Sequence, residues 1–110
     1  MRPERDRMLD ILEAAERIAL DCKGMTLRDF TANRLVRQAV ERNLEIIGEA
    51  AKHLLQPTLA RMPGIDWRGL CGIRDILIHS YFRTDPTIIW RVVSEECPAI
   101  IAAVRRELGM

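Results

Sequence analysis

Three side chains suited to chemistry fall within one short stretch of an apolar helical run: Arg74, His79 and Tyr81 in Arg74-Asp75-Ile76-Leu77-Ile78-His79-Ser80-Tyr81. Arginine stays charged at any ordinary pH and presents a planar fork of donors matched to phosphate oxygens. Histidine takes up and releases a proton near neutrality, and tyrosine adds a phenolic hydroxyl. Such a set suits cleavage of an RNA phosphodiester. Arg74 would hold the scissile phosphate and offset charge that builds in the transition state, while His79 moves protons to or from the 2′-hydroxyl and the leaving oxygen. This chemistry needs no metal and no cofactor, and positioned acid–base catalysis supplies about 10² to 10⁴ in rate.

Spacing constrains where that site can form. At roughly 100° per residue, positions 74 and 79 diverge by about 140° around a helix, so they do not readily meet within one chain. A symmetric homodimer resolves this, because a two-fold axis beside the helix lets Arg74 and His79 of both chains line one cleft. The plainer alternative is a solvated Arg74 and an Asp75–His79 pair one helical turn apart.

The elements that must carry these residues are helices. Met8, Ile11, Leu12, Ala15, Ile18, Ala19 and Cys22 recur at three- and four-residue steps, which predicts a helix from near Pro3 to Gly24. Thr26-Leu27-Arg28-Asp29 has the form of a capping box. The pattern from Val36 to Leu54 carries a long second helix to Gln56-Pro57, with a break near Thr31 to Asn33. Asp66 caps a third helix from Trp67 to about Ser80, which places the motif at its C-terminal end. Asp85-Pro86 opens a last helix to Leu108, and Pro98 should kink or split it. The expected fold class is all-α: one domain spanning residues 1–110, an antiparallel bundle of four to five helices dimerising through the motif-bearing helix.

The aromatic share of 5% against 48% hydrophobic residues points to an aliphatic core. The net charge of +1 excludes a polycation, so nucleic acid must be met by a local patch. The window from Arg61 to Arg91 offers one, with five arginines against three aspartates. Cys22, Cys71 and Cys97 form no C-x-x-C pair, which argues against a thiolate zinc site and for a reducing, cytoplasmic setting. The longest apolar run, Ala99 to Val104, is far short of the roughly 20 residues that span a bilayer, so no membrane partner is expected.

The wider pattern resembles a known family. Ile65-Asp66-Trp67-Arg68, Gly72 through Phe82, Ile89-Trp90, and the segment Asn43 to Lys52 on the second helix are together similar to the HepT-like branch of the HEPN superfamily. The resemblance implies an all-helical, HEPN-like homodimer that is a metal-independent endoribonuclease toxin. It also implies an antitoxin partner of the MntA nucleotidyltransferase type. Arg74 and His79 match the family's catalytic positions, and Tyr81 matches the tyrosine that the partner modifies with AMP, with Asp75 and Ser80 as supporting residues. Two departures stand out. Asp75 replaces the asparagine that many HEPN ribonucleases carry after the arginine and could orient His79, and Asp66 stands where proline is common before the tryptophan.

Other polar features read more plainly. Glu41, Glu45 and Glu49 with Lys52 and His53 form a charged ridge, expected to be a solvated face, with the dimer cleft or the antitoxin as alternative neighbours. Trp67 and Trp90 are expected in core or dimer packing rather than in RNA stacking, and Cys71 as a buried structural thiol. Two readings compete with the ribonuclease: a non-catalytic helical dimer that binds and is AMPylated by a nucleotidyltransferase, and an inert assembly bundle.

Overall fold

The computed structural model describes residues 2–79 and 85–110. The described residues form helices and connections with no strand: α1 (Glu4–Asp21), α2 (Leu27–Ala32), α3 (Arg34–Ala51), α4 (Gln56–Ala60), α5 (Trp67–His79), α6 (Pro86–Arg91), a π-helical turn (Val92–Glu96) and α7 (Cys97–Leu108). α6, the π turn and α7 run on as one segment, which leaves six helical units rather than the four or five expected.

Local chemistry explains the boundaries. α1 stops before Gly24, whose φ of 76° lies in the left-handed region that glycine enters cheaply. The Thr26–Asp29 capping box forms reciprocally, each side chain accepting from the other residue's backbone N–H. The expected break is at Asn33, which ends α2 and caps α3 by accepting from Val36 N–H at 3.0 Å. The second long helix is shorter than expected, stopping at Ala51. The next residues turn into α4, whose start is held by Glu4: its carboxylate accepts from Leu55 N–H and the Thr58 hydroxyl, each at 2.6 Å. Asp66 caps α5 as expected, accepting from Gly69 N–H at 3.0 Å.

Pro98 acts in an instructive way. It lacks an N–H and its ring would meet the carbonyl four residues back. The chain widens into the π turn just ahead of it, and Pro98 then sits in the first turn of α7, where no donor is required.

The core follows from α1 and α3. Ile11, Ala15 and Ile18 of α1 meet Val40, Leu44 and Ile47 of α3, and Ile100 and Val104 of α7 close the far side, all essentially without solvent exposure. α3 makes its most extensive contacts with α5 and α1, and α1 packs also on α7. α3 is thus the strut that carries the motif helix. No helix among the described residues is long and apolar enough to cross a membrane.

Candidate active site on the motif helix

The surface of α5 divides into two faces. Trp67, Leu70, Ile73 and Leu77 turn toward the core. Arg68, Gly72, Asp75, Ile76 and His79 are exposed and fall on one stripe at helical spacing. Arg74 belongs to the inner side and His79 to the outer stripe, as their five-residue separation requires.

Arg74 lies inside because α3 lets it. A Cβ at Gly48 would overlap the Arg74 Cβ, stand 2.9 Å from its Cγ and lie 3.0 Å from the Leu70 carbonyl oxygen. Only glycine allows α3 and α5 to approach this closely. The arginine stem passes across Gly48 and its head emerges between carboxylates: Arg74 Nη2 is 2.8 Å from Glu49 Oε2, and Nη1 is 3.0 Å from Asp75 Oδ1. The side chain is 19% exposed, and its Nε is buried without a hydrogen-bond partner among the described residues. The result is a cation whose stem is packed over Gly48 and whose two terminal nitrogens are each paired with a carboxylate.

The network extends along α3. Glu49 also meets His53 Nε2 at 3.3 Å, and Lys52 Nζ lies 3.9 Å from Asp75. The hydrogen bond from Arg74 holds the Asp75 carboxyl below its ordinary value, with Lys52, Arg74 and His79 adding favourable fields against the cost of burial. Two expectations change here. The glutamate ridge is not a plain solvated face, since Glu49 and Lys52 are tied to the motif. Asp75 takes Arg74 and Lys52 as its ion-pair partners rather than His79, because Arg74 adjoins it on α5 and Lys52 faces it from the end of α3.

His79 is the last residue of α5 and is exposed. Ser80 and Tyr81 lie outside the described residues, so the expected modification site and one supporting residue have no structural account. Trp67 is in the core at 7% exposure, and Trp90 is half-buried with its ring 5.1 Å from that of Phe30, so both serve packing as expected. Cys71 is half-buried rather than buried. Its thiol lies 3.7 Å from the Gly48 carbonyl, and burial pushes it up from its ordinary range, away from use as a nucleophile. Among the described residues no group of three or more His, Cys, Asp and Glu side chains is placed to hold a metal.

Sequence reasoning missed Gly48 and the role of Glu49. The signal was adjacency: a glycine inside a helical run, followed directly by a carboxylate, marks a close crossing with a charge beside it.

Residues 11–107 match the family model described as ribonuclease HepT-like. A candidate RNase of Methanocaldococcus jannaschii is 38% identical over 84% of this chain and 85% of its own length. A candidate ribonuclease HepT of Thermococcus cleftensis is 37% identical over 90% of each chain. A candidate RNase of Caldanaerobacter subterraneus is 33% identical over 98% of this chain and 96% of its own. No solved structure gives a significant match.

Proposed function

The chain belongs to the ribonuclease HepT-like family, and on that footing we propose that it is a metal-independent endoribonuclease whose site is assembled across a homodimer, acting as the toxin of a toxin–antitoxin pair. The observation that carries the reading is the Arg74 head, held on a largely buried stem over Gly48 with its two terminal nitrogens on the carboxylates of Glu49 and Asp75, on the helix that ends at the exposed His79.

In this mechanism RNA displaces Glu49 and Asp75 from Arg74, and the guanidinium takes the scissile phosphate in their place. His79 accepts the proton of the 2′-hydroxyl, whose oxygen attacks phosphorus, and the 5′-oxygen leaves with a proton supplied within the paired site. The dimer is supported by the exposed stripe of α5, where a Cβ placed on Gly72 would meet nothing within 4 Å and Ile76 is 55% exposed. A second copy packed there brings a second His79 toward the shared cleft.

Control falls to Tyr81. A nucleotidyltransferase antitoxin of the MntA type would transfer AMP from ATP to its hydroxyl with release of pyrophosphate. Each added AMP brings a phosphodiester charge that competes with RNA for Arg74. A second reading, the non-catalytic AMPylated dimer, draws on the carboxylates already paired with Arg74. The two part on product chemistry. Protein with unmodified Tyr81, given labelled RNA in excess EDTA, is expected to leave 2′,3′-cyclic phosphate and 5′-hydroxyl ends. Intact RNA, or fragments with 3′-hydroxyl ends, contradicts the mechanism.

A further inference from the structure

Arg74 is not the only arginine at its site. A cavity of about 210 Å³ opens where α1, α3 and α5 meet, and Arg2, Arg7 and Arg42 line it together with Arg74. Three of these have carboxylate partners: Arg2 with Asp10 at 2.6 Å, Arg42 with Glu45 at 3.3 Å and Arg74 with Glu49 at 2.8 Å. Arg7, half-buried on α1, has no carboxylate within ion-pairing distance among the described residues. A guanidinium partly withdrawn from water without a counter-charge carries a desolvation cost that a bound anion would offset.

Size and composition narrow the ligand. The volume lies below the roughly 300 to 1,000 Å³ typical of pockets that enclose a whole small molecule. The apolar lining is slight, given by Ile46, Ala50 and Ile78. Asp10, Glu45 and Glu49 line the opening beside the four arginines, so the cations exceed the carboxylates by one, and the unpaired Arg7 fork matches the oxygens of a backbone phosphate, which guanidinium binds in bidentate fashion.

We propose that Arg7 and Arg42 form an RNA-backbone subsite that takes the phosphate next to the scissile one and draws the strand across α1 and α3 toward Arg74. The inference rests on the ribonuclease reading above and adds to it. Arg7 is the principal anchor, and Arg42, whose side chain is 71% exposed, swings from Glu45 to the phosphate. The subsite sets the direction in which a strand enters each half of the dimer.

The test is binding of a labelled single-stranded RNA to His79→Ala protein over a salt series, with Arg7→Ala, Arg42→Ala and Arg17→Ala added in turn. Arg17 lies on the same helix as Arg7, pairs with Glu13 at 2.5 Å and is absent from this cavity, so it is the charge-matched control. Arg7→Ala is expected to weaken binding roughly tenfold at low salt, the scale of one charge-assisted hydrogen bond. It should also flatten the log–log salt slope by about 0.7 for each phosphate no longer neutralised. Arg42→Ala should do the same to a smaller degree, and Arg17→Ala should match the parent. Arg42 guards against misfolding of the Arg7 variant, which a thermal melt detects. Equal weakening by Arg17→Ala and Arg7→Ala, or no weakening by Arg7→Ala or Arg42→Ala, overturns the subsite. Where the parent with His79 intact cleaves RNA, either of those binding results overturns the subsite and leaves the ribonuclease reading standing. If RNA is neither cleaved nor bound, the ribonuclease reading falls and the subsite with it.

Discussion

Arg74 is held by contacts from two helices, and its neighbours decide what it can do. Glu49 comes from α3 and Asp75 from α5 itself, so the two terminal nitrogens are held by carboxylates that, in the proposed mechanism, a phosphate replaces. Asp75 gives the first prediction. Its carboxyl is held below the ordinary 3.8, chiefly by the hydrogen bond from Arg74. The folded protein therefore takes up this proton less readily than the unfolded chain. The stability it contributes is present above that ordinary value and is lost as pH falls through the lower folded one. Asp75→Asn should lower Tm at neutral pH, and the gap from the parent should close in strongly acidic solution; a gap that does not depend on pH contradicts the pairing. At this scale the sequence displayed the residue types of the motif. It did not display their partners, because Glu49 and Lys52 reach α5 only through tertiary packing. Along the sequence they read as members of an i, i+4 ridge.

Helix boundaries were legible where one residue's chemistry decides them. Asn33, Asp66 and Asp85 each accept a backbone N–H at a helix start. They were less legible where a distant residue decides: α3 gives way to α4 because Glu4, far away in sequence, fixes Leu55 and Thr58. Pro98 signalled a disturbance but not its form, since a kink and a π turn both remove the clash. The crossing of α3 over α5 is the element on which the site depends. Gly48→Ala forces the new methyl against the Arg74 Cβ, an atom fixed by the α5 backbone, so the helices must separate. Overpacking of this kind costs about 1 to 3 kcal/mol. Thermal melts should show that destabilisation, and RNA cleavage should fall further than stability does because Arg74 shifts with α5. A variant with parent-like stability and activity would mean that the close crossing is not required. Gly72→Ala, on the open stripe, is the contrast, since a Cβ there meets nothing within 4 Å among the described residues.

For the whole molecule, the separation of Arg74 and His79 on opposite sides of α5 is the fact to be explained. The chain turns the arginine toward α3 and presents the histidine outward, on the stripe of Gly72 and Ile76. The proposed two-fold dimer on that stripe would make a single cleft of both. Ile76→Asp places a charge at the centre of the stripe and should shift the protein to monomer in sedimentation while the fold persists. RNA cleavage should fall in parallel. A monomer that still cleaves would contradict a site shared between two chains, and a dimer unaffected by the charge would place the interface elsewhere.

The most direct test of the central claim is cleavage of a labelled RNA pool in excess EDTA by the purified protein, with mass confirming an unmodified Tyr81, beside His79→Ala purified identically. The account predicts cleavage by the parent and its loss in the variant. Equal cleavage by both proteins, or none by either, would contradict a metal-independent ribonuclease that uses His79.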